Sequence, residues 1–71
     1  MVNKNLLHSK VVICGDNWLI LARKMGMYTA TLHNKLRGAT EFKASEIAQI
    51  IKLYNLTPEE VFEIFFAGGM A

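Results

Sequence analysis

The chain has 71 residues, of which 52% are hydrophobic, and its formal net charge is +2. That length holds one small domain, and that composition excludes a disordered tail. It leaves little room for a catalytic pocket with its own scaffold, so a binding module is the expected class and an enzyme is not.

A domain of this size buries only about 60% of the surface its unfolded chain exposes, so a partner or self-association would add stability. Cys14 is the single cysteine, which excludes an internal disulfide framework. Cys14, His8 and His33 are too scattered to suggest a zinc site, and neither metal nor cofactor is expected. The apolar run at residues 11–14 is far shorter than the ~20 residues of a membrane span, and no small-residue cleavage site follows it. The expected setting is the cytoplasm, without membrane association.

The charges divide unevenly. Residues 1–37 carry Lys4, Lys10, Arg23, Lys24, Lys35 and Arg37 against Asp16 alone. Residues 38–71 carry Lys43 and Lys52 against Glu41, Glu46, Glu59, Glu60 and Glu63. A basic half beside an acidic half suggests a surface for a polyanion.

Five helical segments follow one another. The first runs from about residue 3 to residue 13, with Asn3 able to cap it and Leu6, Leu7 and Val11 on one side. The β-branched run Val11-Val12-Ile13 weakens its end, and Gly15 terminates it. The second runs from about 18 to 25, capped by Asp16 or Asn17, with Leu21, Ala22 and Met25 as its buried stripe. Arg23 and Lys24 suit its C-terminal dipole, and Gly26 stops it. The third runs from about 29 to 37, with only Met27 and Tyr28 between it and Gly26. Leu32 and Leu36 face its core side, while Thr29, Ala30, His33, Asn34 and Arg37 face away, and Gly38 closes it.

The fourth segment runs from about 44 to 54, with Ile47, Ile50, Ile51 and Tyr54 at helical spacing and Phe42 packing beneath the preceding loop. The fifth opens on Thr57-Pro58-Glu59-Glu60: a capping threonine, proline at the first helical position and glutamate at the third. Val61, Ile64 and Phe65 face inward, leaving Phe62 and Phe66 outward, and residues 67–71 form a short frayed tail. Cys14, with no activating neighbour in sequence, is expected to be an inert thiol.

Segments two and three, joined by a short glycine-containing turn, form a helix-turn-helix pattern at about residues 17–37. Leu21, Ala22, Gly26, Met27, Leu32, Leu36 and Gly38 stand in the register of the Cro/CI-type repressor family of temperate phages, which the chain resembles. The resemblance continues through Phe42, Glu46, Ile47, Ile50, Asn55 and the run at 56–61. The closing Ile64-Phe65-Phe66 is similar to the ending of small Cro-like regulators of phages of Gram-positive bacteria. It implies an all-α, compact five-helix, lambda-repressor-like DNA-binding domain spanning residues 1–71.

The resemblance also implies roles. A recognition helix reads base edges while its partner helix crosses the phosphates. By that register Thr29, Ala30, His33 and Asn34 face bases, and the Asn34 amide is suited to pair bidentately with adenine. Lys35, Arg37 and Lys43 would hold phosphates, with Arg23 and Lys24 on the helix that approaches the backbone. Phe62 and Phe66 are the candidate homodimer contact, because Val61, Ile64 and Phe65 already fill the inward stripe. The expected partner is an operator in double-stranded DNA within a bacterial host cell.

Two positions depart from the family pattern. Trp18 stands where a phosphate-gripping glutamine is common, followed by Leu19 and Ile20, and Tyr28 stands where a small cap is usual. Trp18, Leu19, Ile20 and Tyr28, with Met27, would make an apolar surface suited to a protein. The alternative expectation is therefore an antirepressor that uses the same fold to bind a repressor protein.

Overall fold

A computed structural model describes residues 2–67 and places five helices in chain order: α1 (Lys4–Ile13), α2 (Trp18–Lys24), α3 (Thr29–Leu36), α4 (Ala44–Tyr54) and α5 (Pro58–Phe65). There is no strand among the described residues, so the domain is all-α. The radius of gyration is 11.1 Å, matching the roughly 11 Å of a compact chain of this length. The expected tail at 68–71 lies outside the described residues.

Local chemistry accounts for the helix boundaries. Asn3 Oδ1 accepts from the Leu6 amide at 3.1 Å, and Asn17 Oδ1 from the Ile20 amide at 2.9 Å. Asn17 is thus the cap of α2, and Asp16 is released for another task. At α5 the capping box is complete: Thr57 Oγ1 accepts from the Glu60 amide at 3.2 Å and Glu60 Oε1 from the Thr57 amide at 2.9 Å. The β-branched end of α1 stays helical through Ile13. There Gly15 and Asp16 amides return to Val12 and Val11 carbonyls and satisfy the last turn.

The core is one cluster built from every helix. Leu7, Val11, Leu21, Leu32, Ile50 and Ile64 have no exposed surface, and Ala22, Leu36, Tyr54, Leu56 and Phe65 complete it. Phe42 meets Phe65 edge to face at 5.6 Å between ring centroids, so it packs under the loop before α4 as its position suggests. The Asn3 amide donates to the Ile64 carbonyl at 2.6 Å and ties the start of the chain to α5.

Three carboxylates act as cross-braces. Asp16 accepts from Lys24 Nζ at 2.8 Å and from the Tyr54 hydroxyl at 2.9 Å, joining the α1–α2 turn to α2 and α4. Glu60 pairs with Lys10 across α5 and α1. Glu46 pairs with Lys35 across α4 and α3 at 3.0 Å.

All three are held below the ordinary carboxylate range. Asp16 is lowered by its bond to Lys24 and then by Tyr54. Burial pushes Glu46 up, but the Lys43 amide and Lys35 together outweigh it. Glu60 is lowered by Lys10 and then by the Thr57 amide. Groups depressed in the folded state contribute stability above their unfolded pKa and lose it as pH falls through the folded value. The expected result is a thermal midpoint that holds near neutrality and drops once pH passes below about 4. A midpoint that rises on acidification would contradict this bracing.

Candidate nucleic-acid interface

Helices α2 and α3 are joined by a four-residue turn, Met25-Gly26-Met27-Tyr28. The turn works because Gly26 takes φ +71°, a left-handed conformation that costs other residues energy. A Cβ at Gly26 would meet nothing within 4 Å, so backbone dihedral and not crowding demands glycine here. The Gly26 and Met27 amides return to Arg23 and Ala22 carbonyls, closing α2 and turning the chain into α3. Ala22 is buried, as a close α2–α3 approach requires, and Leu32 and Leu36 anchor α3 from its inner side.

The outer side of α3 carries the expected base-facing residues. Ala30, Asn34 and Arg37 follow at intervals of four and three and so share one stripe. Ala30 and Arg37 are exposed, while Thr29, His33 and Asn34 are half-buried. Tyr28 begins the helix without offering it a side-chain acceptor. Arg37 Nε and Nη2 both donate to Asn34 Oδ1, at 3.1 and 2.9 Å. The two residues form a single polar unit at the C-terminal end of the helix.

The basic residues divide into engaged and free. Lys35 was expected at a phosphate but is 9% exposed. Its ammonium donates to Glu46 Oε1 at 3.0 Å and to the Glu41 carbonyl at 3.2 Å, with the Phe42 ring 6.0 Å away. The assignment of Lys35 to phosphate is therefore corrected: it ties α3 to α4 from within. Its spacing carries the reason. Lys35 lies three residues after Leu32 and one before Leu36, beside the apolar stripe.

Lys24 is exposed yet paired with Asp16. Arg23, Arg37 and Lys43, all exposed, have no carboxylate partner among the described residues, and neither do Lys4 and Lys52. Three ion pairs thus absorb half of the cations that made residues 1–37 strongly basic.

The apolar surface is smaller than the sequence suggests. Tyr28 is 85% exposed and Leu19 54%. Trp18 and Met27, by contrast, pack against the core, and Ile20 is half-buried. Trp18 also lies against the His8 ring, with centroids 5.1 Å apart, and so links α2 to α1. On α5, Phe62 and Phe66 are each half exposed, because Val61, Ile64 and Phe65 occupy the inward stripe.

Sequence reasoning missed Asp16, Glu41, Glu46 and Tyr54 as partners in this framework. Their contacts join distant positions: the Asp16 and Glu46 side chains and the Glu41 carbonyl accept from lysines six or more positions away, and the Tyr54 hydroxyl donates to Asp16, thirty-eight positions apart. No helix is long and apolar enough to cross a membrane, and no cluster of metal-ligating side chains occurs, among the described residues. The fold and this turn define a small all-α helix-turn-helix domain. Comparison with protein-family models, curated proteins and solved structures finds no match to this chain.

Proposed function

We propose that this chain is a DNA-binding transcriptional regulator of the Cro-like kind, acting as a repressor in a phage lysis–lysogeny switch. One observation carries the reading. The tight Gly26 turn holds α3 against α2 so that Ala30, Asn34 and Arg37 form an outward stripe free of acidic groups. Helix α3 would enter the major groove of an operator, and occupancy would exclude polymerase or a rival repressor. A homodimer joined through Phe62 and Phe66 would read two half-sites about one helical turn apart.

The free cations set the expected salt dependence. Arg23 and Lys43, exposed and without a carboxylate partner among the described residues, are available for about two phosphates per protomer, giving a log–log salt slope of about −2. Binding by a protomer should weaken roughly 10-fold between 50 and 200 mM salt. Selection from random duplex DNA should enrich a palindromic motif that the Asn34→Ala variant loses. Salt-sensitive binding without any motif would reduce the interaction to phosphate attraction and sink the repressor.

A second reading rests on Tyr28 and Leu19, the most exposed large apolar residues of the helix-turn-helix. With the half-buried Ile20 beside them they would give an antirepressor its contact with a repressor protein, while Trp18 supports that surface from beneath by packing on the core. Under this reading Leu19→Ser or Tyr28→Ser abolishes activity while Asn34→Ala leaves it intact.

A further inference from the structure

We propose that Asn34 and Arg37 act as one reader that selects guanine, not adenine, in the base pair beneath them. The inference rests on the DNA-reading role of α3 and names what that helix reads. Asparagine distinguishes adenine by presenting a donor and an acceptor together, Nδ2 to N7 and Oδ1 from N6. Here Oδ1 is already occupied: Arg37 Nε and Nη2 reach it at 3.1 and 2.9 Å, filling both lone pairs.

The amide orientation is dictated by chemistry. A guanidinium only donates, so Nδ2 turned toward Arg37 would set donor against donor. The amide NH2 therefore points away from Arg37. After its two bonds to Asn34, the guanidinium keeps three N–H groups. The unit offers five donors in sum and no free side-chain acceptor.

That inventory matches one base edge in the major groove. Guanine presents N7 and O6, two adjacent acceptors. Adenine pairs its N7 acceptor with an N6 amino donor, which meets only donors here. Cytosine presents an amino donor, and thymine a single acceptor beside a methyl group. Both residues lie at the α3 surface, with Arg37 exposed, so the donors are accessible. Arg37 thereby becomes a specificity determinant twice over: it supplies donors and it removes the acceptor that adenine needs.

The test is selection from random duplex DNA with the wild-type protein, Asn34→Ala, Arg37→Met and the two combined, each verified as folded by its thermal transition. The position read is the one whose preference is lost when Asn34→Ala and Arg37→Met are combined, since either residue alone keeps donors for a base edge. Wild type should favour guanine there by about 10-fold, and 7-deazaguanine at that position should lose most of this preference. Arg37→Met, which frees Oδ1, should switch that position to adenine while the rest of the motif persists.

A wild-type motif with adenine at that position overturns the inference and leaves the DNA-reading role standing. So does an Arg37→Met variant that binds every sequence equally more weakly with guanine retained, since Arg37 would then be holding phosphate. No motif from the wild-type protein overturns the DNA-reading role and this inference together.

Discussion

Leu32→Ala should lower the unfolding free energy by about 3 kcal/mol, the middle of the range for deleting a buried leucine side chain. Leu32 has no exposed surface and sits on the inner side of α3, within the core cluster. A domain of this length has a total stability of about 4–10 kcal/mol, so the loss is a large fraction. The thermal midpoint should fall by roughly 12–24 °C. Leu32→Met keeps most of the volume and should cost less than about 1.5 kcal/mol. Urea unfolding of the three proteins measures both effects. A loss below 1 kcal/mol for Leu32→Ala would mean that α3 is not anchored as described. The proposed DNA-reading role would suffer with it, because the residue that fixes α3 inward also supports Ala30, Asn34 and Arg37 on its outer side.

Lys35→Met should cost about 2 kcal/mol even though methionine is the more apolar side chain. The ammonium is held by Glu46 and by the Glu41 carbonyl, and both ends of the ion pair are largely withdrawn from solvent. Removing the cation strands the carboxylate, which keeps only the Lys43 amide as a donor. The double variant Lys35→Met/Glu46→Gln should recover most of the loss, because a neutral amide needs no counter-charge and its carbonyl can still accept from Lys43. It should also show a flatter stability profile below about pH 4, where the wild-type Glu46 takes up its proton. If the chain binds DNA as proposed, Lys35→Met should leave the salt slope unchanged, whereas Arg23→Met or Lys43→Met should each reduce it by about 1. A reduced slope for Lys35→Met would place that ammonium at a phosphate and contradict its burial.

The contrast between Lys35 and Arg37 shows where charge counting stops being informative. Both are cations near the end of the same helix, and the one-sided surplus in residues 1–37 treats them alike. Two residues of helical phase separate them. Lys35 flanks the Leu32–Leu36 stripe and is drawn under the loop to Glu46, while Arg37 lies on the stripe of Ala30 and Asn34. The same distinction applies to Trp18 and Tyr28. Both are aromatic residues of the helix-turn-helix, but Trp18 folds back on His8 and the core, and Tyr28 stands in solvent.

Local interactions were decided by the amino-acid sequence alone. The positions of all five helices follow from caps, glycine stops and 3.6-residue spacing, each of which acts within about five residues. Asn3, Gly26 and the Thr57-Pro58-Glu59-Glu60 start are legible because their partners are adjacent in the chain. The inward residues Leu21, Leu32, Leu36, Ile50 and Ile64 are legible because periodicity encodes a face. Tertiary structure alone decided which charges remain free and which lone pairs remain open. Asp16 finds Tyr54, Glu46 finds Lys35, and Glu60 finds Lys10 only when distant helices meet. Asn34 and Arg37 lie three apart, within reach of sequence reasoning, yet whether their side chains join depends on the solvent-facing geometry at the end of α3. Ion pairing and hydrogen bonding require contact, and contact between remote segments is a property of the packed domain, not of local spacing.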